Sequence, residues 1–91
     1  MKELDERIEK YFSVTKKALK QIKVQKATIS DEATAKDFLD MAQRYYQDAG
    51  YFLKKGDKIT AFAAIVYAHA WLDAGARLNI FRVKDSSVLM Q

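Results

Sequence analysis

His69, Asp73 and Arg77 follow one another at intervals of four residues, and His69 is the chain's single histidine. On a helix each of these neighbouring pairs can touch. An imidazole beside a carboxylate is the raw material of a general base, and a guanidinium four residues further on can hold an anion. Tyr45 and Asp48 precede a sharp Lys54-Lys55-Gly56-Asp57 turn. A helical hairpin about that turn would set them opposite the later part of the following helix. A polar cluster of Tyr45, Asp48, His69, Asp73 and Arg77 is therefore geometrically feasible, as a ligand site or as a buried network. The plainer role is structural, because an Asp four residues before an Arg usually forms an ion pair and buried polar groups need partners.

Other chemistries lack their residues. With one histidine and no cysteine the common zinc sites cannot be built. There is no Glu-x-x-His pair of the kind that carries di-iron centres in bundles, and no His-Glu-x-x-His, phosphate-binding glycine loop or nucleophile elbow. Ser13, Ser30, Ser86 and Ser87 lie in the first helix, at a cap or in the tail, and nothing in the pattern brings them to His69. No metal, no cofactor and no catalytic residue is expected. A second candidate surface is basic. Lys16, Lys20 and Lys23 share a helix face, with Lys17 and Lys26 beside it and no acid between residues 11 and 30. Such a face could contact nucleic-acid phosphates. It lacks aromatic stacking residues, an arginine cluster and a helix-turn-helix pattern, so a solvated helix face is favoured over nucleic-acid binding.

The elements that must position these residues are helices. The chain has 91 residues, no proline and three glycines, and it shows no β-type alternation. Residues Asp57 to Arg77 read as one helix, and from Ala61 to Leu72 it is apolar on nearly every face except at His69. A helix of that kind is a buried one. The apolar run is shorter than the roughly 20 residues a bilayer span needs, so it reads as core and no membrane is expected. Leu4, Ile8, Tyr11, Thr15, Ala18, Ile22, Gln25 and Ile29 recur at three and four, with Phe12 and Leu19 widening the face and Val14 and Val24 off it. Thr15, Ala18 and Gln25 are weak seam residues. In the middle of the chain Ala35, Phe38, Leu39, Ala42, Tyr45, Tyr46, Ala49, Phe52 and Leu53 form a clear amphipathic face. Thr28 and Ser30 are rival caps before it, and Gly50 inside it permits a close crossing or simply faces solvent. Gly56 suits the left-handed residue that ends one helix, and Asp57 the cap that starts the next.

These signals predict an all-α, antiparallel three-helix bundle with helices at about 2–26, 31–54 and 58–82, forming one domain over residues 1–91. The tail, 83–91, is expected to fray or to dock its Val88-Leu89-Met90. The net charge is +4. A charged opening segment argues against a signal peptide, and the absence of cysteine fits a cytoplasmic protein. A central helix apolar all round is hard to cover with two neighbours. Its outer side is the strongest sequence indication of a partner, and self-association as a homodimer through the third helix is the expected form. A first helix swapped between protomers would give the same pattern.

The strings Tyr45-Tyr46-Gln47-Asp48-Ala49, Phe52-Leu53-Lys54-Lys55-Gly56-Asp57 and Tyr67-Ala68-His69-Ala70-Trp71-Leu72-Asp73-Ala74-Gly75 carry a further indication. They resemble a small archaeal family catalogued as domain of unknown function 357, over roughly residues 38–81. The resemblance implies a compact helical, cytoplasmic, archaeal protein and brings no catalytic residues with it. The hairpin also looks like one unit of a tetratricopeptide repeat or of a microtubule-interacting-and-trafficking domain, but a single unit with no stacking partner reflects shared hairpin physics. The function expected is that of a non-enzymatic interaction module.

Overall fold

The computed structural model describes residues 2–24 and 29–82. Three helices, α1 (Lys2–Gln21), α2 (Ile29–Lys54) and α3 (Lys58–Arg77), make an all-α bundle, joined by one short antiparallel bridge between β1 (Lys23–Val24) and β2 (Phe81–Arg82). In that bridge Lys23 is paired with Arg82 and Val24 with Phe81.

The α2–α3 hairpin follows from the turn chemistry. Gly56 takes the left-handed conformation at φ 82°. Its N–H donates to the Leu53 carbonyl and that of Asp57 to the Phe52 carbonyl, the paired closure of a Schellman motif. Asp57 then accepts from the Thr60 N–H at 3.1 Å and caps α3. Because this link is so short, α3 must run back along α2. The ring contacts Phe38–Trp71 and Tyr45–Tyr67 fix the register. That register sets Ala49 level with Ala61, Ala42 with Ala68 and Ala35 with Gly75. The five alanines are fully buried and the glycine is buried with them. Small residues at a seven-residue repeat on both helices leave room for the backbones to approach. Ile65 and Leu72 are the largest fully buried side chains, and Leu72 belongs to one cluster with Ala18 of the first helix and Ala35 and Ala42 of α2.

The third element, α1, lies mainly on α3 and touches α2 at few points. It runs parallel to α3, as the successive contacts Asp5–Lys58, Tyr11–Phe62 and Thr15–His69 show. Phe12 reaches α2 at Tyr46, with ring centroids 5.6 Å apart. The expected stripe on α1 holds, with Ile8, Thr15 and Ala18 buried. Val14, off that stripe, packs on the core from the side, and Val24 enters the bridge. Both mark a second contact.

Three helix ends differ from the sequence expectation. The third helix stops at Arg77, short of residue 82, because Asn79 adopts φ 60° and closes a second Schellman motif. Its N–H donates to the Ala76 carbonyl, and the Ile80 N–H to that of Gly75. The chain then doubles back, burying Ile80 and Phe81. The first helix ends at Gln21, short of residue 26, because Lys23 and Val24 leave it to pair with the returning strand. The second begins at Ile29 and not Asp31, so Ser30 lies within it; Thr28, its rival as cap, lies outside the described residues, as do Gln25, Lys26 and the tail 83–91. Nothing lies within 4 Å of where a Cβ would sit on Gly50, so that glycine makes no close crossing.

Candidate functional site

The five residues of the expected polar cluster divide between two places. α3 advances about 100° per residue, so positions 67 and 69 face opposite ways. His69 turns toward α1 and Tyr67 away from it.

On the α1 side His69 is 1% exposed. Its Nδ1 lies 2.9 Å from the hydroxyl of Thr15, and its Nε2 lies 3.7 Å from Asp73 Oδ1. The Tyr11 ring meets the imidazole edge-on at 6.3 Å. A carboxylate can only accept, so it favours the tautomer with the proton on Nε2. Nδ1 is then an acceptor, and the Thr15 O–H donates to it. Burial pushes the His69 pKa below its usual value, and the nearby Asp73 charge opposes that shift without reversing it. The histidine is thus neutral at pH 7, sealed from solvent and held by partners on two elements. It cannot touch a substrate in this arrangement.

Thr15 is the residue that sequence reasoning undervalued. In the sequence it reads as a weak seam position, yet it is fully buried and supplies the hydrogen bond that makes burying a histidine tolerable. The available signal was a hydroxyl on the apolar stripe of one helix and a lone ionisable group on the apolar helix opposite.

Stability should follow the histidine. The folded state favours the neutral ring, so below the unfolded pKa of 6.5 the unfolded chain binds more protons. The contribution is complete above about pH 6.5 and is lost as pH falls from there toward the lowered folded value. In the folded protein the single histidine resonance should titrate with a midpoint below 6.5, and the melting temperature should decline as pH falls below 6.5. Thr15→Val should cost about 1–3 kcal/mol by leaving Nδ1 buried without its donor; an unchanged melting temperature would refute this. Asp5 acts in a separate window. The hydrogen bond from Lys58 and its charge hold that carboxyl below 3.8, so its contribution exists above 3.8 and disappears only in stronger acid.

Tyr45 and Asp48 lie on the other side of α3. With Phe52, Thr60, Ala63, Ala64 and Tyr67 they line an open groove of about 410 Å³ between α2 and α3. A smaller depression of about 220 Å³, lined by Tyr67, Ala70, Trp71 and Ala74, continues it along α3. The walls are mostly apolar and Asp48 is the one acidic residue among those that line them. Arg77 is exposed at the far end of the same helix and makes no ion pair among the described residues. Ile59, Tyr67 and Leu78 are 77%, 46% and 59% exposed. By length and composition α3 would qualify as a membrane span, yet only a third of that window is buried inside the protein. Ile59, Ala63, Tyr67, Ala70 and Arg77 make up its exposed outer face, and the rest of the helix is buried or partly buried.

Lys16, Lys17 and Lys20 are exposed on α1, and none forms an ion pair among the described residues. Lys23 is in the bridge, opposite Arg82. No group of three metal-ligating side chains converges among the described residues.

Residues 10–81 match the model of a family described as "Protein of unknown function (DUF357)". No curated protein and no solved structure matches the chain.

Proposed function

We propose that this chain, which belongs to the DUF357 family of proteins of unknown function, is a non-enzymatic protein-interaction module whose docking surface is the outer face of α3. The observation that carries the reading is the exposed apolar strip formed by Ile59, Ala63, Tyr67 and Ala70 on a helix whose other faces are covered by α1 and α2. Leaving large apolar groups such as Ile59 in water forgoes roughly 1.5–3 kcal/mol of burial per side chain, and a contiguous apolar strip marks an interaction surface. His69, the best chemical group in the sequence, is sealed into the bundle and serves packing. The absence of cysteine supports a cytoplasmic setting for such a module.

Self-association is the simplest form of this reading. Light scattering should give the purified chain a mass above that of the monomer, and Ala70→Glu should bring it down to the monomer with its helix content unchanged. A wild-type chain that stays monomeric at high concentration ends the reading.

Lys16 and Lys20, exposed on α1 and without an ion pair among the described residues, support a second reading, binding of nucleic-acid phosphates through these two and Lys23 of the bridge. A salt-sensitive affinity for an RNA or DNA oligomer that is lost on reversing those charges would favour it; no binding at low salt would remove it.

A further inference from the structure

The outer face of α3 from Ala63 to Arg77 is apolar between two charges, Asp48 of α2 beside Ala63 and Arg77 at the helix end. Near one end Asp48 stands beside Ala63 in the α2–α3 groove. At the other end is Arg77, one helical heptad beyond Ala70 and two beyond Ala63. Asp48 and Arg77 are both exposed, and neither forms an ion pair among the described residues. Between them Ala63 and Ala70 are exposed and small, which lets a second helix approach closely, and Tyr67 stands half-exposed at the side.

An acid at one end, a base at the other and small residues between make a surface complementary to itself under a two-fold rotation. Ala70 lies midway between Ala63, which Asp48 neighbours, and Arg77. A copy rotated by 180° about an axis through Ala70 brings its Arg77 over Asp48 and its own Asp48 over Arg77. A parallel alignment would set Arg77 against Arg77 and Asp48 against Asp48, and like charges at an interface select against that register. We propose that the partner of this face is a second copy of the chain, seated with the two α3 helices antiparallel, the dyad near Ala70 and an Asp48–Arg77 ion pair at each end.

The proposal rests on the reading of this face as a docking surface, and its test separates the two. Because the chain contains no cysteine, Ala70→Cys introduces a single thiol per protomer. Two such thiols at a dyad lie within reach of a disulfide. Oxidised Ala70→Cys should run as a covalent dimer. Ile59→Cys, on the same exposed side but three turns away, should not, since antiparallel pairing carries the two Ile59 positions far apart. Asp48→Arg and Arg77→Glu should each weaken dimerisation about tenfold at low salt, and the double variant should recover most of the loss. Both positions are exposed, and circular dichroism checks that each variant folds. Cross-linking at Ile59 in place of Ala70 overturns the geometry, as does a dimer indifferent to both charge reversals, while leaving the docking face in place. A monomeric wild type overturns the docking face itself.

Discussion

Gly75→Ala should lower the melting temperature by about 10 °C, although the same change in an open helix position raises it. Alanine is favoured over glycine by roughly 1 kcal/mol inside a helix. At Gly75 the added methyl would overlap the Phe81 ring at Cδ2 and Cε2. Phe81 is 3% exposed and part of the core with Ala18, Ala35 and Leu72, so the ring has little room to yield. Overpacking of this kind costs about 1–3 kcal/mol, and in a chain of this size each kilocalorie moves the midpoint by about 4–8 °C. Gly50→Ala is the control. It meets nothing within 4 Å and should gain up to about 1 kcal/mol. Thermal melts of the two variants moving in opposite directions are the expected result, and a smaller ring in Gly75→Ala/Phe81→Leu should recover part of the loss. Equal shifts at both glycines would show that the Phe81 contact has no energetic weight.

The second large effect is expected at the alanine seam. Ala68 is fully buried and level with Ala42, which is also fully buried. Ala68→Leu adds three carbons where two backbones converge, and its cost should reach or exceed the upper end of the 1–3 kcal/mol typical of an overfilled core, because a helix must shift to admit it. Ala70→Leu, two residues on, points to the exposed face and should leave the monomer's stability within about 0.5 kcal/mol. Chemical denaturation distinguishes them. Similar midpoints would mean that the α2–α3 seam is looser than its burial indicates.

Most of the fold is legible in the sequence because its strongest signals are local. Lys54-Lys55-Gly56-Asp57 names its own turn, and the Ala and aromatic spacing of α2 names its buried face. The helix ends beyond those signals are not legible in the same way. Leu78-Asn79-Ile80-Phe81 continues an apolar period, and only the left-handed turn at Asn79 diverts it. Asparagine tolerates that conformation without demanding it, so the sequence alone does not announce the stop. The bridge of Val24 to Phe81 joins residues far apart in the chain, which periodicity cannot see. The site was legible as an inventory and illegible as an arrangement. His69 and Asp73 meet as their spacing predicts. Tyr45 and Asp48 do not join them, because the hairpin register turns those two toward Tyr67.

The one-sided attachment of α1 bears on the order in which the protein assembles and comes apart. The α2–α3 hairpin is built from contacts between segments adjacent in the chain, which form quickly at low entropic cost. α1 is held chiefly by α3, through contacts spanning some fifty residues, such as the Thr15–His69 bond. A helix fastened along one side by long-range contacts forms a cooperative unit of its own, the last to join and the first to leave. Acidification that charges His69 strikes that attachment and spares the alanine seam. The hairpin is therefore the resident scaffold of this chain and α1 its clasp, and hydrogen exchange at low pH should show α1 opening before the hairpin.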